Sequence, residues 1–221
     1  MEVSTAVTGR RSIRMYKPDQ VSRDIIQEIL EEARWAPSWG NTQGWEFYVV
    51  IGDTLEKFKE ANLEKLQTGA TSSPEISMPE KWPEKPNERY TEFGKRLLNA
   101  LNIPRKAKDL RDELYAKMFN LFGAPCLMVA CLDKGISLDY GMLDIGLILQ
   151  TICLLAHEKG LGTTIMAVSV MYPEVLRKLL SIPDTKVIVM GVALGYPDWN
   201  APANKFERSR ANLEELVTWV G

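Results

Sequence analysis

A single histidine, His157, stands in 221 residues, and the three cysteines, Cys126, Cys131 and Cys153, form no C-x-x-C pair. That poverty excludes a histidine-led metal centre, a zinc ribbon and a dithiol shuttle, so no metal is expected. Any Ser-His or Cys-His nucleophile would have to use His157, which falls in the last turn of a long apolar segment, where a partly cationic imidazole suits the helix dipole. It is expected to have no catalytic role. The phosphate loop G-x-x-x-x-G-K-[ST] and the nucleophile elbow G-x-S-x-G are both missing. The stretch GLGTTI at 160–165 follows a helical segment and lacks a third glycine, so it is not a dinucleotide fingerprint. With so few catalytic side chains, chemistry carried by an organic cofactor becomes the natural expectation.

Charge of one sign is also lacking. Lys and Arg number 27 against 29 Asp and Glu, a net charge of -2, which gives no domain-wide basic face for nucleic acid. The opening MEVSTAVTGRRS has no apolar core for a signal peptide. The longest apolar run, IGLILQTICLLA, is shorter than the roughly 20 residues that span a bilayer. A soluble, cytoplasmic protein of one domain, without membrane or nucleic-acid partners, is expected from this length and composition.

What is present reads as alternating helices and strands. SRDIIQEILEEARWA puts Ile25, Ile26, Ile29, Leu30 and Ala33 on one stripe, with Ser22 as N-cap, and predicts a helix ending before Pro37. WEFYVVIG, APCLMVACLD, TTIMAVSV and KVIVMGVALGYP read as strands; RKAKDLRDELYAKMFN, the apolar segment from Leu138 to Lys159, and YPEVLRKLLSIP read as helices. On a strand, Cys126 and Cys131, five apart, point to opposite faces as reduced core thiols. Residues 69–104 carry five prolines and much charge, and no apolar period is evident, so they read as a lid-like insertion bearing Trp82. The elements lack the regular βαβ rhythm of a doubly wound parallel sheet, which predicts an α+β fold, a sheet flanked by helices.

Near the start, RRSIRMY packs Arg10, Arg11 and Arg14 around Ser12, and a second arginine set, Arg208 and Arg210, closes the chain in KFERSR. With the total charge balanced, the cluster suits one small anion, and arginine forks match phosphate oxygens in pairs.

Taken in order, RRSIRMY, ARWAPSWGNTQGWEFYVV, DYGMLDIGLILQTICLLAHEKGLGTT and VALGYPDWNAPANKFERSR resemble the FMN-dependent nitroreductase family, in particular the branch that includes nitrobenzoate reductases. The resemblance implies one domain over residues 1–221 with a nitroreductase-like α+β fold, its central sheet mainly antiparallel and flanked by helices, and an intertwined FMN-binding homodimer. It implies reduction by NADH or NADPH, with hydride transfer through flavin N5 to nitroaromatic, quinone or similar flat acceptors. It gives Arg10 and Ser12 to the flavin phosphate with Arg11 close by, Arg14 to the pyrimidine end, and Arg210 and Arg208 to the C-terminal phosphate contact. Ser38 and Asn41 match positions that touch flavin across the dimer. Ala167 and Val168, flanked by Ile165 and Met166, match a strand whose backbone N–H groups face flavin N5 and O4. Two positions depart from the pattern: Gly44 stands for a usual proline, and Trp39, beside the substrate pocket with Trp82, for a usual small residue. A dehalogenase or azole dehydrogenase retaining FMN, and a flavin carrier or sensor without turnover, are the rival readings.

Overall fold

The computed structural model describes residues 1–221. Four strands, β1 (Trp45–Ile51), β2 (Cys126–Asp133), β3 (Gly162–Met166) and β4 (Lys186–Gly195), form one sheet in the order β1-β2-β4-β3, antiparallel at every pairing. Seven helices surround it: α1 (Val3–Gly9), α2 (Arg23–Ala33), α3 (Gly52–Gln67), α4 (Glu84–Ala100), α5 (Lys108–Phe119), α6 (Leu138–Glu158) and α7 (Pro173–Leu180). The α+β architecture follows.

The central strands decide where the core lies. Side chains alternate along a strand, so Cys126, Met128, Ala130 and Leu132 of β2 enter one apolar layer while Leu127, Val129 and Cys131 enter the other. The first layer is closed by α2 and α6, through Ile26, Ile29, Ile145, Ile148 and Ile152. The second is closed by α3, α5 and α7, through Leu55, Phe58, Phe119 and Leu176. Both thiols are buried as expected on opposite faces, and desolvation pushes them up to about 12, which leaves them unreactive.

Helix α2 matches its sequence pattern down to the cap: Ser22 Oγ accepts the Ile25 N–H at 3.3 Å. Several expectations are corrected. The aperiodic reading of residues 69–104 fails, because 84–100 form α4 with Tyr90, Phe93 and Leu97 at helical spacing. Pro86 sits in its first turn, where the missing N–H costs nothing. The segment before it is strapped down: Glu75 takes both the Nε and Nη2 of Arg177 at 2.9 and 2.7 Å, and the Ile188 N–H at 2.7 Å. Helices α1 and α3 had no counterpart in the sequence reading. The strand expected through Ala167 and Val168 stops at Met166, and Ala167–Val170 form a 3-10 turn.

Helix α6 is not buried all round. Ile145, Ile148, Leu149 and Ile152 face the sheet, and their burial, at about 1.5–3 kcal/mol per side chain, makes this helix a principal part of the core. Yet Tyr140 and Leu143 are more than half exposed on its outer side. At 21 residues it is also long and apolar enough, by length and composition alone, to cross a membrane, contrary to the shorter run counted from the sequence.

Candidate functional site

The segment carrying the first arginines is laid against the outer edge of β3. Ser12 bridges Thr163 in parallel fashion, the Ile13 N–H donates to the Thr163 carbonyl at 3.0 Å, and Thr164 Oγ1 donates to the Ile13 carbonyl. Gly162 is needed for this crossing: a Cβ there would stand 2.3 Å from Ile13 Cγ1. The GLGTTI glycine is thus a packing residue.

The C-terminal segment returns to the same place. Asn204, fully buried, accepts the Arg14 N–H at 2.7 Å and donates to the Met15 and Asp198 carbonyls, both at 2.8 Å. Arg208 donates to the carbonyls of Arg10 and Thr8, and Arg11 to that of Phe206. Two arginine sets nearly 200 residues apart in sequence therefore line one cavity of about 720 Å³, with Arg10, Arg11, Ser12 and Arg14 on one side and Arg208 and Arg210 on the other. Helix α4 supplies its third wall through Arg89, Tyr90, Phe93 and Arg96.

Glu88, Glu207 and Glu215 also line the cavity, but the two arginine sets make no ion pair. None of Arg10, Arg11, Arg14, Arg208 and Arg210 has a carboxylate within ion-pair distance. Arg14 instead lies over two aromatic rings, 5.0 Å from the Phe93 centroid and 5.8 Å from that of Phe206. Burial, with Arg11 adding repulsion, brings its guanidinium down to about 10. Burial also lowers Arg11, and burial with three neighbouring arginines lowers Arg208. The Nε of Arg10 is buried without any partner. Orphaned donors and unpaired guanidiniums call for a multivalent oxyanion, and a phosphate ester fits that donor set.

His157 adjoins this cluster rather than serving the helix dipole as a cation. Its Nε2 packs on Gly9, and burial together with Arg10 and Arg208 lowers its affinity for a proton. The expectation of a partly cationic imidazole is corrected accordingly.

The other expected site residues are divided. Ile165 is exposed at the sheet edge just beyond the arginine segment, Met166 is buried, and Ala167 and Val168 open the 3-10 turn. The first N–H groups of such a turn have no partner within it, so the backbone remains a possible donor despite the lost strand. Ser38 and Asn41 lie elsewhere, on the loop between α2 and β1. Gly40, Asn41 and Gln43 all have positive φ there, and Ser38 Oγ accepts the Gln43 N–H at 2.9 Å. This loop is pinned by the buried Asp144, which accepts the Trp39 N–H at 3.0 Å. Asp144 and His157 are thirteen residues apart on α6, about 20 Å of helix, so one chain does not bring its Ser38 loop to its own arginines. Gly44 has a local reason: a Cβ would meet Ile136 Cδ1 at 2.3 Å. Trp39 is exposed against Tyr140, their ring centroids 5.6 Å apart. Trp82 stands outside the cavity lining, behind Tyr90, with centroids 6.5 Å apart. Asn204, Phe206 and Phe93 escaped the sequence reading, since an asparagine and two phenylalanines carry no spacing signal.

Comparison with known proteins agrees with this architecture. The model of the Nitroreductase family matches residues 7–196. The chain belongs to the nitroreductase family. It is 31% identical over 225 residues to the nitrobenzene nitroreductase of Ectopseudomonas oleovorans, covering 99% of this chain and 96% of that protein. It is 29% identical over 220 residues to the 4-nitrobenzoate reductase of Pseudomonas putida, covering 100% and 96%. The crystal structure of the FMN and NADPH-dependent nitroreductase NfnB from sphigopyxis sp. strain HMH superposes with a TM-score of 0.96 at 29% identity, covering all of both chains. The family match begins before Arg10 and ends at Tyr196, so the tail arginines that complete the cavity lie beyond it.

Proposed function

We propose that this chain is an FMN-dependent NAD(P)H oxidoreductase that reduces nitroaromatic compounds and other flat acceptors such as quinones. The observation that carries the reading is the meeting of five unpaired guanidiniums, from both ends of the chain, in one cavity beside the sheet edge. Similarity over the full chain to nitrobenzene and nitrobenzoate reductases, and to an FMN and NADPH-dependent neighbour, supports it.

Arg10, Ser12 and Arg210 would hold the FMN phosphate, with Arg11 and Arg208 beside them. Arg14 supplies positive charge for the pyrimidine end, and its aromatic clamp leaves that charge free because no carboxylate neutralises it. When bound, FMN supplies the redox chemistry, taking a hydride from NAD(P)H and delivering electrons to the acceptor. The protein's part is placement and electrostatics: the N–H groups of Ala167 and Val168 are preorganised dipoles for the ring edge, flanked by Ile165 and Met166. Tyr90 on α4, backed by Trp82, gives a flat surface for an aromatic acceptor, with residues 69–104 as a cover.

The working unit in this reading is an intertwined homodimer. It would bring the Ser38 and Asn41 loop of one subunit to the arginines of the other, a reading supported by the roughly 20 Å of α6 that separates the two regions within a chain. The exposed stripe of Tyr140, Leu143 and Leu147 on α6, and the exposed Leu216, Trp219 and Val220 of the tail, supply apolar surface for such an interface. Buried, unpaired thiols suit the reducing cytoplasm.

The test is direct. Chromatography of flavin released from purified protein is expected to give FMN, and NADPH or NADH oxidation is expected to accelerate with 4-nitrobenzoate or a quinone. Release of FAD, or of no flavin from a folded protein, overturns the reading.

A further inference from the structure

Arg10 and Arg11, which wall the large cavity, also line a separate cleft of about 10 Å³, together with His157, Thr163 and Trp199. That space suits about one water molecule, so the imidazole stands beside the two arginines without reaching into their cavity. His157 Nε2 packs on Gly9, where a Cβ would come within 2.8 Å, and this contact holds the ring at the end of α6.

The charged groups that face His157 are all arginines. Helix α1 (VSTAVTG) and strand β3 (GTTIM) bring no charged side chain. On α6 itself, Glu158 is turned to the Met1 amine, and Cys153, one turn earlier, stays a neutral thiol because burial raises it. The next residue, Lys159, is held by Glu28 and Glu32 of α2 at 2.9 and 3.5 Å, which occupies the carboxylates on that side. Arg10, Arg11 and Arg208 remain, and burial with Arg10 and Arg208 lowers the imidazole's affinity for a proton. A sixth cation is disfavoured beside five unpaired guanidiniums. A phosphate ester near neutral pH carries a charge of about -2, and a nearby opposite charge favours the protonated form of a base.

Resting on the FMN-dependent reading above, we propose that His157 is a proton-linked member of the phosphate site. Seating of the FMN phosphate draws a proton from solvent onto the imidazole, and the imidazolium then adds its charge from beside Arg10. The ester is thus held in part by a charge that exists only while it is bound. Because the imidazole binds its proton more weakly in flavin-free protein than in the complex, FMN binding takes up a proton between the two midpoints. Through His157, binding therefore tightens as pH falls across that window. The second ionisation of the phosphate, near 6, works the other way, since the dianion is lost as pH falls. A variant without the imidazole keeps that opposing contribution and is the proper reference.

His157 is the only histidine, so one imidazole signal in protein labelled at histidine reports its titration by NMR. The midpoint is expected below the ordinary value of about 6.5 in flavin-free protein, and at least about half a pH unit higher with FMN bound. Riboflavin, which brings the same ring without the phosphate, should leave the midpoint at its flavin-free value. In fluorescence titrations, the FMN dissociation constant of His157→Gln relative to wild type should rise about three- to ten-fold between pH 8 and pH 6. A midpoint unmoved by bound FMN, an equal shift with riboflavin, or a ratio of dissociation constants that stays constant with pH would overturn the proposal while leaving the flavin reading intact. Wild-type protein that folds but takes up no FMN overturns the parent reading, and this one with it.

Discussion

Arg14 and Phe93 face each other across the cavity, the guanidinium carbon 5.0 Å from the ring centroid, so the helix of the supposed lid holds a residue of the arginine cluster. A cation–π contact of this kind contributes about 0.5–2 kcal/mol. Phe93→Leu should therefore weaken FMN binding roughly two- to thirty-fold, while Phe93→Tyr keeps wild-type affinity. Fluorescence titration of apoprotein with FMN measures both. Unchanged affinity in Phe93→Leu would remove α4 from the cofactor site.

Arg210→Ala tests the opposite end of the chain. Arg210 is exposed and spends one N–H on the neighbouring Ser209 carbonyl, at 2.8 Å, so it is free to meet a phosphate. Losing one charge-assisted hydrogen bond costs about 1.5–3 kcal/mol, and the FMN dissociation constant should rise about ten- to a hundred-fold. The melting temperature of the apoprotein should stay at the wild-type value, which separates binding from folding.

Asn204 should behave in the contrary way. Its side chain satisfies three backbone groups at once, and Asn204→Ala leaves the Arg14 N–H and the Met15 and Asp198 carbonyls short of partners. With about 1–3 kcal/mol lost for each buried group left unpaired, a total near 3 kcal/mol is expected, or roughly 6–12 °C in Tm for a chain of this size. Calorimetry of the apoprotein reads it directly, and a shift below one degree would refute the role.

His157 makes stability depend on pH in a narrow window. Burial, Arg10 and Arg208 hold its folded-state value below the ordinary imidazole value of about 6.5. The unfolded chain therefore binds the extra proton first as pH falls through 6.5, and stability declines until the folded protein also protonates. The urea midpoint should drop between pH 7 and pH 5 in wild type, and less so in His157→Gln. A steeper fall in the variant would reverse the sign.

How legible the molecule was depended on the range of the forces at work. Local rules found Ser22 as a cap and set Cys126 and Cys131 on opposite faces, because both depend on neighbours within a few residues. The α4 helix was hidden by its prolines and charges, although Tyr90, Phe93 and Leu97 already had the spacing. The strand expected through Ala167 broke because Ser169 Oγ bonds back to the Met166 carbonyl at 2.6 Å, a turn its β-branched neighbours did not announce. Within the site, arginines declared themselves by charge, but Asn204 and Phe206 hold the arginine segment through partners 189 to 195 residues away. Such pairings have no trace in a linear reading.

The joining of Arg208 to the Arg10 carbonyl, 198 positions apart, also sets a timetable for biogenesis. At synthesis rates of about 5–20 residues per second, roughly 10–40 s separate the emergence of the two arginines. Through that interval the early cluster has neither its counterpart nor a walled cavity, so ligand capture cannot guide the nascent chain. The sheet must organise first, and the later-made segment that carries Arg208 then walls the cavity on a scaffold already folded.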